Sequence, residues 1–404
     1  MSNTQKKNVP ELRFPGFEGE WEEKQLGEIS EQSMYGIGAS ATNFDSKNIY
    51  IRITDIDEKS RNLNYKNLTT PDEINDKYKL KRNDILFART GASTGKSYIH
   101  KEEKDNYNYY FAGFLIKFEI NQLNSPMFIY QFTLTSKFNN WVKVMSVRSG
   151  QPGINSEEYA KLPLVLPSKL EQQKIGEFFS KLDRQIELEE QKLELLQQQK
   201  KGYMQKIFSQ ELRFKDENGN DYPDWEEKKM GAITTMFSGG TPQSTNTRYY
   251  KGDIPFIRSG EISKTYTELK INEEALNNSS AKLVEVGDLL YALYGATSGE
   301  VAISKINGAI NQAVLCIRTN ESVEFLLNYL FFSKNKILNT FIQGGQGNLS
   351  ANIIKNLIIE TPTIIEQRKI ADFFGIIDNL IEIQERKLEF LKQRKQSLLQ
   401  KMFV

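Results

Sequence analysis

The chain has 404 residues, 39% apolar and 26% charged, which suits two or three folded domains and excludes a wholly disordered chain. Its 53 basic and 52 acidic side chains nearly cancel, excluding a protein that binds nucleic acid by bulk positive charge. A single cysteine excludes an intrachain disulfide, the polar start Met1–Pro10 resembles no signal peptide, and no apolar run reaches the ~18 residues of a membrane span, so a cytoplasmic protein is expected.

Residues 1–167 read as a first mixed domain. Short β-type runs such as Ile49-Tyr50-Ile51-Arg52-Ile53 alternate with turns rich in Gly, Asn, Ser and Thr. A long helix is expected over 168–210, after Pro167. A second mixed domain follows over 211–362, with runs such as Ala313-Val314-Leu315-Cys316-Ile317. A second long helix is expected over 363–404, after Pro362.

The two halves are copies. Glu11-Leu12-Arg13-Phe14 returns as Glu211-Leu212-Arg213-Phe214, and Trp21-Glu22-Glu23-Lys24 as Trp225-Glu226-Glu227-Lys228. Ile51-Arg52 returns as Ile257-Arg258, and Asn83-Asp84-Ile85-Leu86-Phe87-Ala88 matches Gly287-Asp288-Leu289-Leu290-Tyr291-Ala292. The loop Gly91–Gly95 matches Gly295–Gly299. Glu171–Phe208 aligns without gaps on Glu366–Phe403 at a constant offset of 195, with half of the positions identical. So long a period is not that of a solenoid; it marks a duplicated unit of domain plus helix. The domains have diverged and the helices have not.

The helices carry apolar residues at four-three steps, the coiled-coil spacing. The first seam runs Ile175, Phe179, Leu182, Ile186, Glu189, Leu193, Leu196, Lys200, Tyr203, Ile207. The second runs Ile370, Phe374, Ile377, Ile381, Gln384, Leu388, Leu391, Lys395, Leu398, Met402. Polar residues recur at the same two seam positions, Glu189/Gln384 and Lys200/Lys395. They either fix register and partner or mark a solvent-open seam, and both readings stand. Pairing within one chain about a two-fold axis makes the helices antiparallel. The expected fold is α+β: two mixed domains separated by two long helices in an antiparallel coiled coil, a pseudo-two-fold repeat. The charged outer faces, Glu187, Glu190, Lys192 and Glu194 with their copies, are either solvated surface or a dock for partners.

Catalytic chemistry finds little support. The one histidine, His100, has Ser304 as its counterpart, which leaves a Ser-His-Asp or Cys-His triad without a basis. No Cys/His cluster suits zinc. Thr90–Ser97 looks like a phosphate-binding loop, but the first required glycine falls on Thr90, and the second copy has Glu300 for the lysine. No catalytic residue and no metal ligand is expected.

The loops are instead rich in groups suited to DNA. In the first copy these are Arg52, Lys81, Arg82, Arg89, Thr90, Ser93, Thr94, Lys96, Arg148, Ser149 and Gln151. In the second they are Thr241, Gln243, Ser244, Thr247, Arg248, Arg258, Ser259, Tyr294, Thr297, Ser298, Gln343, Gln346 and Asn348. Arg and Gln can contact guanine and adenine edges in pairs of bonds, while Ser, Thr, Lys and loop amides can hold phosphates. Each residue alone suits an ordinary polar loop; their clustering at equivalent places in both copies points to an interface.

Over residues 10–403 the chain resembles the specificity subunits of type I restriction-modification systems. The motifs are Ser238-Gly239-Gly240-Thr241-Pro242, Ile254–Ile262, Gly287–Tyr291, Tyr294–Gly299, Ile310-Asn311-Gln312-Ala313, Gly344–Ser350, and Pro362 followed by Glu366-Gln367-Arg368-Lys369-Ile370. The resemblance implies two target-recognition domains, each reading half of a split DNA site, and two helices that act as a ruler. It implies two methylation subunits using S-adenosylmethionine to methylate adenine, and restriction subunits using ATP and Mg. It implies no cofactor in this chain. The first copy departs from the pattern, with Phe111-Ala112-Gly113-Phe114 for Asn311-Gln312-Ala313-Val314, and Arg89 and Lys96 for Leu293 and Glu300. The two domains are therefore expected to read different sequences. A stand-alone nucleic-acid binder and a coiled-coil adaptor are the alternatives.

Overall fold

The computed structural model describes residues 8–101, 106–341 and 348–404. It contains two compact units, Met1–Gln191 with Arg386–Val404, and Lys192–Glu385. The division runs through both long helices, Lys169–Phe208 and Ile364–Met402, so each unit holds one mixed domain and a segment of each helix.

In the first unit a four-stranded antiparallel sheet has the order Ser30–Tyr35, Leu115–Ile120, Ile85–Ala88, Ser97–Ile99. The central strand Ile-Leu-Phe-Ala is apolar throughout because both of its faces are covered. Ile85 and Phe87 join a core with the helices, while Leu86 and Ala88 join a second core under Asn48–Ile51 and Asn108–Phe111, which pair in parallel. The second unit repeats the plan, in the order Thr234–Ser238, Val314–Thr319, Leu289–Ala292, Val301–Ile303. Here Leu289 and Tyr291 face the helices, and Leu290 and Ala292 face away from them. A second sheet joins Lys270–Ile271, Ile254–Ile257, Gly308–Ile310 and Lys282–Val284.

The repeated sequence motifs anchor each domain to its helix. Ser168 and Thr363 cap the helix starts with their hydroxyls on the amides of Glu171 and Glu366, a favoured use of Ser and Thr. The fully buried Glu171 accepts two bonds from Arg13, at 2.7 and 2.8 Å, and the fully buried Glu366 accepts two from Arg213, at 3.2 and 2.8 Å. The next residue in each helix, Gln172 or Gln367, accepts the amide of Ser125 or Ser322, which starts a further helix. Trp21 and Trp225 pack edge-on against Phe128 and Phe325.

Within each unit the two helices run antiparallel, held by matching ion pairs. Lys395–Asp183 in the first unit and Lys200–Asp378 in the second are both 2.5 Å and correspond at the offset of 195. Three of the four polar seam residues are therefore paired across the helices: Lys395, Lys200, and Glu189, which meets Lys387. Ile175, Phe179, Leu182, Ile370, Phe374, Leu388 and Leu391 are buried, with Ile186, Leu193, Leu196, Ile377 and Ile381 half-buried. The expected step holds at the last positions, Ile207 and Met402, buried at 1% and 2% exposure, and slips at the position before each. Met204 and Leu399 are buried at 3% and 1% exposure, where Tyr203 is 40% exposed and Leu398 half-buried. A straight helix with 3.6 residues per turn drifts by ~20° per heptad against a strict 3.5 repeat, which carries burial one residue onward.

Candidate nucleic-acid interface

The same loop is built twice. In the first unit Gly91–Ser93 forms a 3-10 turn between strands, with Gly91 and Gly95 at φ +71° and +89°. In the second, Gly295–Thr297 repeats it, with Gly295 and Gly299 at +77° and +81°. These left-handed positions explain the glycines. The turn leads into a strand and not a helix, so the likeness to a phosphate-binding loop ends at the sequence.

A second segment closes on each turn. The amide of Ile154 donates to the carbonyl of Arg89, and that of Gly91 to Pro152; in the second unit Leu349 donates to Leu293. The structure thus gathers Arg89, Thr90, Ser93 and Thr94 with the loop bearing Arg148, Ser149 and Gln151. It also gathers Tyr294, Thr297 and Ser298 with Asn348. Gln343 and Gln346 lie outside the described residues.

Thr241, Gln243, Ser244, Thr247 and Arg248 occupy a separate loop tied to the second sheet. Gly239 donates to Asn311, and a Cβ at Gly239 would stand 1.8 Å from the carbonyl oxygen of Ile310, so only glycine fits that approach. Thr241 donates to the Gln312 side chain at 2.6 Å. Ser259 follows Arg258 in a 3-10 turn. Lys81 and Arg82 precede the strand Ile85–Ala88, whereas the Arg89 loop follows it, so the strand holds the two groups apart.

Several expected contact groups are already bound within the fold. Lys96 is 7% exposed, and its ammonium meets the carbonyl of Ile56 at 3.1 Å and Glu58 at 2.6 Å. It fastens the 53–58 loop and is withdrawn from any phosphate. Arg52 bonds both oxygens of Asp55 at 2.9 and 3.0 Å. Arg258 does the same with Glu261 and also reaches Glu268, and these acceptors raise the pKa of its guanidinium further above the usual arginine value. Such Arg-x-x-acid forks stiffen a turn, and their charge is neutralised locally. Arg148 is forked on Glu158 and Lys81 meets Glu119. Ser298 is buried and donates to Leu293. Of the expected contact arginines, Arg89 and Arg248 have no carboxylate partner among the described residues.

Reading the sequence missed three residues at these loops. Tyr35 lies under Arg89, with the guanidinium carbon 4.8 Å from the ring centre. Phe114 is 62% exposed, and its carbonyl accepts the Arg89 amide. Gln312 joins Thr241. The departure of the first copy at Phe111–Phe114 was the available signal for Phe114; for Tyr35 only strand pairing reveals it.

The sequence profile described as the type I restriction modification DNA specificity domain matches this chain twice, over residues 18–198 and 222–393. The chain is 23% identical to the type I restriction enzyme MjaVIII specificity subunit of Methanocaldococcus jannaschii, a match covering 78% of this chain and 77% of that one. It is 22% identical to the HindI specificity subunit of Haemophilus influenzae, covering 75% and 83% respectively. The crystal structure of the S subunit from M. genitalium superposes with a TM-score of 0.64 at 16% identity, over 98% of this chain and 99% of that one. Each profile match spans one mixed domain and most of its helix, so the duplicated unit is the family's own unit. This chain belongs to the type I restriction-modification DNA specificity family, whose members supply sequence recognition and leave catalysis to other subunits.

Proposed function

We propose that each unit reads one short half of an asymmetric, bipartite duplex target, with a gap set by the two long helices. The observation that carries this reading is the repeated loop: one backbone conformation, held by matching hydrogen bonds, carries Arg89-Thr90 in one unit and Leu293-Tyr294 in the other, with Leu293 turned into the core. A shared frame with different side chains is what two readers of different sequences require. A helix of 40 residues spans ~60 Å, ample for readers about one DNA turn apart, ~34 Å.

Type I specificity subunits work with methylation and restriction subunits on DNA. For this chain the proposal is finer. Two methylation subunits seat on the outer faces of the helices and bring S-adenosylmethionine to a target adenine, transferring a methyl group to its N6. Restriction subunits add cleavage driven by ATP with Mg. This chain holds none of these cofactors and acts in the cytoplasm. Its near-neutral charge and internally paired cations fit a reader that relies on partners for much of its phosphate affinity.

The test is genome-wide mapping of N6-methyladenine in cells producing this chain with a methylation subunit. A split motif that requires both proteins is expected. No new methylation, with both proteins folded and associated, contradicts the proposal and favours a stand-alone binder.

A further inference from the structure

We propose that Arg89, carried on the ring of Tyr35 and flanked by Phe114, is the base-reading contact of the first domain, directed at a guanine in that half of the target. This rests on the bipartite reading above.

The backbone of Arg89 is fixed at both ends, its amide donating to Phe114 at 3.1 Å and its carbonyl accepting from Ile154 at 2.9 Å. The guanidinium lies over Tyr35, whose hydroxyl accepts the amide of Ser156 at 3.1 Å and holds the ring in place. Stacking on a ring orients the planar fork and leaves its N–H donors directed outward. Among the described residues no carboxylate takes those donors, whereas Arg52, Arg148 and Arg258 are each forked on an acid. A rigid, half-buried and unpaired guanidinium matches the paired acceptors O6 and N7 of guanine in the major groove.

Phe114 places a large apolar side chain, 62% exposed, at the same sheet end. It gives the arginine an apolar neighbour suited to a thymine methyl or the edge of a base. The second unit lacks all three groups. Strand pairing equates Tyr35 with Ser238, Arg89 with Leu293 and Phe114 with Ala313, correcting by one residue the sequence alignment that set Phe114 against Val314; Leu293 and Ala313 are buried at 1% and 9% exposure. The cluster is therefore a property of the first domain alone, and its effect belongs to one half of the motif.

The experiment compares methylation maps of the complex carrying wild-type chain, Arg89→Gln, Arg89→Lys or Phe114→Ala. Melting temperature and co-purification with the methylation subunit report on folding and assembly. Arg89→Gln is expected to relax or alter one guanine position in one half-motif, with a loss of discrimination of ~5-fold or more there, while the other half and the gap stay unchanged. Arg89→Lys keeps the charge and should relax the same position. A motif unaltered in both Arg89 variants overturns the proposal, as does a uniform fall in methylation across all sites, which is the mark of a phosphate contact. A wild-type complex with no split motif overturns the bipartite reading itself, a result distinct from either.

Discussion

Lys96 sits where a phosphate-binding lysine would, yet its amine turns inward onto the 53–58 loop. The sequence shows a lysine beside a glycine-rich turn; it does not show that a loop some 40 residues earlier folds over it. Arg52 and Arg258 were closer to legible, because an acid three residues on is visible in each copy, Asp55 and Glu261. His100 is likewise a group of the interior, 1% exposed, with Nδ1 3.2 Å from the Tyr98 hydroxyl and Nε2 without a hydrogen-bond partner. Burial lowers its pKa to about 4, against ~6.5 for an unfolded histidine. Between those values the unfolded chain binds the extra proton, so stability falls as pH falls through the window. The loss reaches about 3 kcal/mol at the lower end and is absent above pH ~7. Denaturation of wild type and His100→Gln from pH 7.5 to 4 checks this: the stability difference between them should shift across the window in the variant's favour. A difference that stays flat would contradict a neutral, buried imidazole.

At the scale of the element, the long helices were the most legible part of the chain. Half-identity over 38 aligned positions and a four-three apolar step fixed their place, and the antiparallel direction followed from the duplication. The seam's polar positions resolved into pairs, Lys200 with Asp378 and Lys395 with Asp183, because a residue off the seam on one helix meets a seam residue of the other. That pairing, and the slip onto Met204 and Leu399, depend on the geometry of the packed pair and not on spacing alone. The helix starts depend on one half-buried ion pair each, a buried carboxylate meeting a partly exposed arginine. Glu171→Ala removes the acid that ties Arg13 to the helix start; because Arg13 is partly exposed and keeps its bonds to the Glu18 and Gly19 carbonyls, the expected loss is about 2–3 kcal/mol, less than for a fully buried pair. Glu366→Ala should do the same for Arg213. Chemical denaturation measures both; a loss under about 1 kcal/mol in either would show that the anchor is not this pair.

For the whole molecule, the duplication gives one chain two loops of one design with different side chains. Contacts that build the frame recur residue for residue: Arg13 and Arg213, Gln172 and Gln367, Asp183 and Asp378. Loop positions have drifted instead: Thr90 becomes Tyr294, while Arg89 and the exposed Phe114 become Leu293 and Ala313, both buried. The fold class and the loops' positions were therefore readable from internal comparison. Which cations remain free was not, since that is decided by acids brought close only on folding. If the helices set the gap between half-sites, their length is the adjustable quantity and the loops are not. The direct measurement is the methylation motif of a chain with one helical turn, ~4 residues, inserted near Gln197–Gln199 and at the equivalent Lys392–Arg394. The account predicts both half-motifs unchanged and the gap between them longer. An unaltered gap in a folded, active complex would contradict it.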